Sequence, residues 1–281
     1  MKSDIKNRFQ HAKDVVIFTG AGMSAESGVP TFRDRGTGLW ENVDPLEVAT
    51  TKAFRDHPQR VWDWHAHLAD AVRQASPNAG HLAVSELQKK VSRVTVITQN
   101  IDNLHQEAGS LDVIELHGSL LRLKAFVDVE SALSDHRSPE ICPLCNGYVS
   151  SDDVDPFAGR EDFEVLKLHA GSVPRCPRCR ALLRPDVVWF GEGLSPAALG
   201  AAWAAVDRCE VLICVGTSLE VEPAAGLPWR ALSRGAVVIE VNTELTSLSG
   251  QADVYFPGSA ATVLPELVHE IFGDALHDDV A

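Results

Sequence analysis

Short apolar runs rich in β-branched residues recur along the chain and predict buried strands. The runs do not alternate strictly between apolar and polar positions, as expected where helices cover both faces of a parallel sheet. They lie at 15–19, 94–98, 113–116, 211–215 and 237–241. Because helix-like segments separate most of them, the pattern predicts an α/β fold with a parallel sheet.

The helix signals are clearest at 79–91, where apolar residues recur on one face. A second helix is predicted at 196–206, since Ser195 supplies an N-cap and Pro196 takes the first helical position. A third is predicted at 59–72, opened by Pro58.

Two stretches interrupt the α/β alternation and predict a smaller lobe. The first, 32–76, has little strand pattern and is interpreted as a helical module. The second, 119–185, is rich in prolines, contains two Cys-x-x-Cys pairs and is interpreted as a zinc-ribbon module. The remaining segments, 1–31, 77–118 and 186–281, are expected to form the Rossmann-like domain.

The cysteine pairs predict one structural zinc ion. Each pair can place two sulfurs on one tetrahedral ion, and four thiolates leave no position for a catalytic water. The expected ligands are Cys142, Cys145, Cys176 and Cys179. The chemistry is therefore expected elsewhere in the chain.

A glycine-rich turn follows the first predicted strand and indicates a nucleotide site. Gly20 to Ala25 match the G-x-G-x-x-G/A pattern, in which glycines let the backbone approach a pyrophosphate at the start of a helix. A tight turn without a ligand is the alternative interpretation. The acidic residue that the dinucleotide-binding pattern expects about 20 residues later is missing.

Polar residues follow the other predicted strands, at the edge where open α/β sheets bind ligands. They are Thr98 to His105, His117, Gly216 to Ser218, and Asn242. Asn/Asp turns with capping duties explain the first group equally well. A histidine in this setting suits a general base near neutral pH, whereas His65, His67, His81 and His105 are interpreted as structural.

Composition narrows the class of protein further. The chain has 281 residues, 45% of them hydrophobic, and a formal net charge of −14, which argues against binding to nucleic acid backbones. Signal and membrane-spanning patterns are not found, and the cysteine usage suits a reducing cytoplasm. The oligomeric state is left open.

Taken together, these motifs resemble the sirtuins, the NAD-dependent protein lysine deacylases. The similarity spans roughly 14–272 and rests on six motifs in family order: 20–34, 98–102, 115–118, the four cysteines, 184–192 and 216–219. The resemblance implies a Rossmann-like domain and a small lobe, with NAD and an acyl-lysine protein entering the cleft between them.

The resemblance also implies roles for individual residues. His117 is the expected catalytic base. The expected NAD contacts are Gly20, Ala21, Gly22, Ala25, Glu26, Thr31, Phe32, Arg33, Gln99, Asn100, Ile101, Asp102, Gly216, Thr217, Ser218, Asn242 and Ala260. The expected substrate contacts are His65, Leu68, Val188, Trp189, Phe190 and Gly191, the last four by strand addition.

In the family mechanism the acyl oxygen attacks the ribose carbon that bears nicotinamide, and O-acyl-ADP-ribose and free lysine result. Family members that prefer acidic acyl groups carry Tyr and Arg three residues apart, where the alignment places His65 and Leu68. The sequence therefore predicts a neutral acyl group, with Arg55, Arg60 or Arg73 as candidates if the alignment slips. Mono-ADP-ribosyl transfer and NAD hydrolysis are the alternative reactions.

Overall fold

The computed structural model describes residues 2–31, 43–126, 171–176 and 181–273. The chain divides into two compact units. The first, called here the sheet unit, comprises Met1–Thr31, Ala75–Leu116 and Leu199–Ala281. The second, called here the hairpin unit, comprises Phe32–Gln74 and His117–Ala198.

Six parallel strands form the sheet unit. They are β1 (Asp14–Thr19), β2 (Arg93–Thr98), β3 (Val113–Glu115), β6 (Val211–Val215), β7 (Val237–Asn242) and β8 (Val254–Pro257). Their spatial order is β3-β2-β1-β6-β7-β8, and every neighbouring pair is parallel. The order reverses between β1 and β6, which is the switch point where doubly wound sheets bind nucleotides. The predicted α/β fold is confirmed.

Helices cover this sheet because its strands are apolar on both faces. The helices of the unit include α1 (Ser3–His11), α5 (Ala79–Lys90), α6 (Leu104–Glu107), α7 (Pro196–Arg208), α8 (Gly226–Ser233) and α9 (Ala260–Phe272). Alternate strand residues such as Val15 and Ile17 join one core with Phe9, Leu87 and Leu264. This burial fixes the strand ends that carry the polar residues.

The hairpin unit contains β4 (Gly118–Ala125), which pairs antiparallel with β5 (Leu183–Val187). Three helices precede this pair in the chain: α2 (Pro45–Val48), α3 (Thr51–Asp56) and α4 (Pro58–Gln74). Trp62 and Phe54 are fully buried in this unit. The helical content predicted for 32–76 is therefore found in its described part.

Two differences from the sequence prediction concern the sheet unit. The five predicted strands lie within one residue of the observed ones, but β8 carries no predictive signal, because it is short, half-buried and ends in Pro257. The helix expected after Gly20 is replaced by two short 3₁₀ turns, Ala21–Met23 and Ala25–Ser27. Among the described residues, no helix is long and apolar enough to span a membrane.

Candidate active site

The glycine loop at the end of β1 packs directly against the loop that follows β6. The Gly20 N–H donates to the Val215 carbonyl at 3.0 Å, and the Gly22 N–H donates to the Gly216 carbonyl at 2.8 Å. A Cβ on Gly20 would lie 2.7 Å from the Thr217 Cβ, and one on Gly22 would lie 2.8 Å from the Gly216 Cα. These glycines are therefore required by the packing of the two loops at the switch point, whatever else the loop binds.

A buried polar cluster lies behind this loop and centres on Ser24. The Ser24 hydroxyl donates to the Asp102 carboxylate at 2.7 Å and accepts from the Asn100 side-chain amide at 3.1 Å. The Leu104 N–H donates to the second oxygen of Asp102 at 3.0 Å. Asn100 and Asp102 are 7% and 4% exposed. Two predicted cofactor residues, far from the glycine loop in sequence, are thus joined to it.

Burial dominates the electrostatics of Asp102. Desolvation raises the pKa of this carboxyl above its usual value, and the hydrogen bonds from Leu104 and Ser24 offset the effect only in part. A group with a perturbed pKa in a polar cluster at a ligand-binding edge is typical of a functional site.

Two histidines that the sequence analysis interprets as structural complete the cluster. His81 approaches the Ser24 hydroxyl at 3.4 Å, and His105 approaches the Thr19 hydroxyl at 3.2 Å. Their rings meet edge to face, with centroids 4.9 Å apart. Burial lowers the pKa of His81 to about 4 and that of His105 to about 3, so both rings are neutral near pH 7.

The sequence gives Ser24 and His81 no role at the site, and it places His105 at the ligand-binding edge only as a structural histidine. Ser24 lies inside the glycine motif, at a position for which the motif specifies no residue type. His81 is the third residue of α5 and accepts a 3.3 Å hydrogen bond from the Asn78 N–H, which is a local capping signal. The partners of both histidines are distant in sequence, and only the fold brings them together.

A second group of predicted cofactor residues meets around Thr217. The Gln99 side chain donates to the Thr217 hydroxyl, and the Asn242 side chain donates to the Thr217 carbonyl, each at 2.9 Å. Ser218, the next residue, is exposed. Three strand ends, those of β2, β6 and β7, therefore present connected polar groups along one edge of the sheet.

Glu26 and Ala260 lie together at the start of α9. The Glu26 carboxylate accepts the Ala261 N–H at 2.9 Å and so satisfies one free amide at the amino end of this helix. Ala260 is 4% exposed.

The remaining predicted cofactor residues are located by the backbone around them: the Ala21 carbonyl accepts the Ser24 N–H at 3.0 Å, and the Ala25 carbonyl accepts the Gly28 N–H at 3.1 Å. Ala21 and Ile101 are half-buried, Ala25 is exposed and Thr31 is buried. Phe32 and Arg33 lie outside the described residues.

His117 falls in the hairpin unit, where it directly precedes β4. It is half-buried, and its carbonyl accepts the Val188 N–H at 2.9 Å. This bond ties the predicted base to the predicted substrate strip, 188–191. Within the strip, Trp189 is 2% exposed and Phe190 is 44% exposed.

Most amides of the strip already have protein acceptors. The Phe190 N–H donates to the Ala49 carbonyl at 2.9 Å, and the Trp189 N–H donates to the Glu192 carboxylate at 2.9 Å. With Val188 bound to His117, three of the four predicted residues have a committed donor. Gly191 has a φ of +85°, and a Cβ added to it would have no atom within 4 Å, so its side of the strip is open.

The two residues predicted for the acyl pocket are both buried. His65 is 2% exposed and Leu68 is 5% exposed. The His65 ring bonds the Val61 carbonyl at 2.8 Å and the Trp189 indole at 3.2 Å, so both ring nitrogens have partners within the protein. Of the alternative arginines, Arg60 pairs with Glu47 and Arg73 pairs with Asp70.

Of the predicted zinc ligands, only Cys176 lies in the described residues. It is 1% exposed, and its N–H donates to the Ala181 carbonyl at 2.8 Å. Cys142, Cys145 and Cys179 lie outside the described residues. The described residues contain no group of three or more potential metal ligands.

A parallel sheet with order reversal at β1 and β6, a glycine loop there and a polar edge define a nucleotide-binding α/β protein. Comparison with known proteins gives the family. Residues 20–223 match the model of the Sir2 family. The chain therefore belongs to the Sir2 family, as the sequence motifs predicted.

The relatives extend over nearly the whole chain. An NAD-dependent protein deacylase of Thermococcus sibiricus is 42% identical over 261 residues, covering 93% of this chain and 92% of that protein. A solved Sir2 homologue in complex with NAD has a TM-score of 0.77 and 38% identity, covering 96% of this chain and 94% of the other. A Sir2 variant solved with a deacetylated p53 peptide and 3′-O-acetyl ADP-ribose has a TM-score of 0.74 and 28% identity, covering 97% and 99%.

Proposed function

We propose that this protein uses NAD to remove acyl groups from lysine side chains of proteins, giving nicotinamide, O-acyl-ADP-ribose and free lysine. The observation that carries the proposal is the buried cluster of Ser24, Asn100 and Asp102 at the switch point of the sheet, in a chain of the Sir2 family. The deacylase relatives and the NAD and O-acetyl ADP-ribose bound to solved neighbours support it.

The residues at the sheet edge suit the parts of NAD. Gly20 and Gly22 carry no side chains, so a pyrophosphate can approach the backbone of 20–22 closely. Gln99, Ser218 and Asn242 offer the hydroxyl and amide groups that bind ribose. Asn100, Ile101 and Asp102 are assigned to the carboxamide of nicotinamide.

The other assignments complete the NAD site. Ala260 is assigned to the adenine, and Thr31, Phe32 and Arg33 to the segment that covers the cofactor. Ala25, Glu26, Gly216 and Thr217 shape the loops around the pyrophosphate.

His117 is the proposed catalytic residue. A neutral imidazole accepts a proton from a ribose hydroxyl near pH 7, which makes that hydroxyl a nucleophile toward the acyl carbon. The hydrogen bond from the Val188 N–H to the His117 carbonyl holds the backbone of the base next to the substrate strip. The acyl-lysine peptide is proposed to lie along Val188 to Gly191, with Phe190 and the open side of Gly191 facing it.

We propose that the preferred substrate carries a neutral acyl group, such as acetyl, on its lysine. An acidic acyl chain needs a cationic partner in its pocket. Arg60 and Arg73 are held by Glu47 and Asp70, and Arg184 is buried against Glu192. Arg184 is thereby committed to a protein carboxylate, whereas the pairs of Arg60 and Arg73 are exposed and weak, so the proposal rests on His65 and Leu68 at the aligned positions.

A structural zinc ion is proposed for the hairpin unit. Four cysteine thiolates in two Cys-x-x-Cys pairs suit zinc, and Cys176, the described member of the set, is 1% exposed. Cys142, Cys145 and Cys179 would complete the set. Zinc would stabilise the fold of this unit and take no part in the reaction.

The zinc proposal has a readout that does not depend on activity. Purified wild-type protein is expected to contain about one zinc per chain, and the Cys176→Ser variant close to none, with a lower melting temperature. Elemental analysis and thermal melting measure both. A zinc-free wild type with the same melting temperature contradicts the proposal.

The reaction is tested by incubating the protein with NAD and an acetyl-lysine peptide and following products by mass spectrometry. Deacylation predicts O-acetyl-ADP-ribose and a peptide lighter by its acetyl group. The His117→Ala variant should lose at least about 100-fold in rate, the usual contribution of a general base. ADP-ribosylated protein, or free ADP-ribose with unchanged peptide, supports the alternative reactions instead.

A further inference from the structure

Two protein groups hold the His65 ring in one tautomer. It lies in the middle of α4, with Nδ1 2.8 Å from the Val61 carbonyl and Nε2 3.2 Å from the Trp189 indole nitrogen. A carbonyl only accepts and an indole N–H only donates, so Nδ1 carries the proton and Nε2 accepts. Neither nitrogen is left to bind a substrate.

Burial keeps this ring neutral. Desolvation, with a smaller contribution from the positive charge of Arg184, outweighs the hydrogen bond to Val61 and lowers the pKa of His65 to about 4. Nε2 therefore remains an acceptor for the indole at neutral pH.

Trp189 is also fixed by charged groups of the same unit. The Arg184 guanidinium carbon lies 3.2 Å from the centroid of the indole ring, a cation–π contact. Arg184 pairs with both oxygens of Glu192, at 2.5 and 3.0 Å, and Glu192 accepts the Trp189 N–H. The buried indole is thereby held through its ring, its side-chain nitrogen and its backbone.

The residues beside Trp189 are the ones assigned to the peptide. Val188 and Phe190 bond inward through their N–H groups, while the Phe190 ring is 44% exposed. Trp189 is therefore the buried anchor of the strip, between the half-buried Val188 and the exposed Phe190. A binding surface fixed in advance costs less ordering on association, which raises affinity.

We propose that His65 is a positioning residue, which acts through Trp189 to hold 188–191 in the shape that receives the substrate peptide and does not contact the acyl group. This inference rests on the proposed deacylase function. It replaces the acyl-pocket role that the alignment gave to His65.

The test compares two substitutions at His65 with a control on the same helix. His65→Leu removes the acceptor and leaves the buried indole N–H unsatisfied, whereas His65→Gln keeps an acceptor at nearly the same reach. His67→Leu is the control, since His67 lies on the exposed face of α4. Peptide KM, NAD KM and kcat are measured with acetyl, propionyl, butyryl and succinyl peptides.

The His65→Leu variant is expected to raise peptide KM about tenfold, because a strip no longer fixed in advance must be ordered when the peptide binds. The rise should be equal for every acyl chain, and NAD KM should stay within about twofold of the wild-type value because the strip does not bind NAD. The His65→Gln variant should recover most of the loss, and His67→Leu should match the wild type. If His65→Leu does not fold, Trp189→Phe breaks the same bond from the other side and should give the same pattern.

Three results overturn the inference: a changed ratio among acyl chains, which would make His65 a contact residue; an unchanged peptide KM; or no recovery with His65→Gln. The proposed function fails separately, if the wild-type protein releases no deacylated peptide at all.

Discussion

The pKa shifts of two carboxylates, the buried Asp102 in the sheet unit and the partly buried Glu192 in the hairpin unit, have opposite directions. Asp102 of the sheet unit is bonded by the Ser24 hydroxyl and the Leu104 N–H, and burial raises its pKa. Glu192 of the hairpin unit also loses hydration, but the hydrogen bond and charge of Arg184 outweigh that loss and lower its pKa. The difference is the presence of a cation.

The contrast distinguishes a ligand-binding cluster from a pair of residues with a structural role. Burial of a carboxylate that has only neutral donors carries a desolvation cost. Carboxylates with such a cost are concentrated where a ligand or a reaction uses the group. A carboxylate paired with a buried guanidinium fixes geometry, here that of Trp189. The Ser24 cluster is thus interpreted as binding machinery, and the Arg184–Glu192 pair as the frame of the substrate strip.

Lowering the pH should produce the largest loss of stability. It acts on both units, because each contains buried histidines that are neutral at pH 7. The pKa values of His65 and His81 are about 4 and that of His105 is about 3, all below the unfolded value near 6.5. Since the unfolded chain binds more protons between these limits, stability falls as pH drops from 7 toward 4. Each histidine should cost about 2 kcal/mol between pH 7 and 5.

Urea denaturation at several pH values measures this loss. The His65→Gln and His81→Gln variants should each show a shallower dependence on pH than the wild type, while His67→Gln, at an exposed position, should not differ. Equal pH dependence in all four proteins contradicts the neutral assignment of the buried rings.

The second largest loss of stability is expected for the Arg184→Met variant. It leaves Glu192 partly buried without its cation, and it should cost about 3 kcal/mol, the lower end for broken buried pairs, because 26% of the Glu192 side chain is exposed. The double variant Arg184→Met with Glu192→Gln should recover part of the loss. Glu47→Gln, which breaks the exposed pair with Arg60, is the control and should cost less than about 1 kcal/mol.

Denaturation at neutral pH provides these values, and peptide KM shows whether the strip is affected. If Arg184→Met costs no more than Glu47→Gln, the pair does not act as a frame.

The smallest effect is expected for Asp102→Asn. Because the folded-state pKa of Asp102 is raised, its contribution to stability is full below the unfolded value and is lost as pH rises through the folded pKa. The variant lacks this loss, so its stability relative to the wild type should rise as pH increases above the unfolded carboxyl value of about 3.9. A relative stability that falls with rising pH contradicts the raised pKa.

Local patterns in the sequence are sufficient to predict five of the six strands of the sheet. The runs at β1, β2, β6 and β7 are β-branched on both faces, which leaves few alternatives to a buried parallel strand. β8 carries no such signal, being four residues long and half-buried. The 3₁₀ turns after Gly20 depend on the backbone of Gly216, about 200 residues away, and no local pattern reports that contact.

The site is predictable only in part for the same reason. Asn100 and Asp102 follow a strand, a position that suits the ligand-binding edge and a capping turn equally well, and the resemblance to the sirtuins favours the first. Alignment places His65 in the acyl pocket, but its ring turns to Trp189, 124 residues later in the chain. Partners this distant meet only when the chain is folded.

The most direct measurement of the central claim is the stoichiometry of one reaction with NAD and an acetyl-lysine peptide. Quantified together, nicotinamide, deacetylated peptide and O-acetyl-ADP-ribose should appear in equal amounts at every time point. Nicotinamide released in excess with the peptide still acetylated would contradict the assignment of this protein as a deacylase.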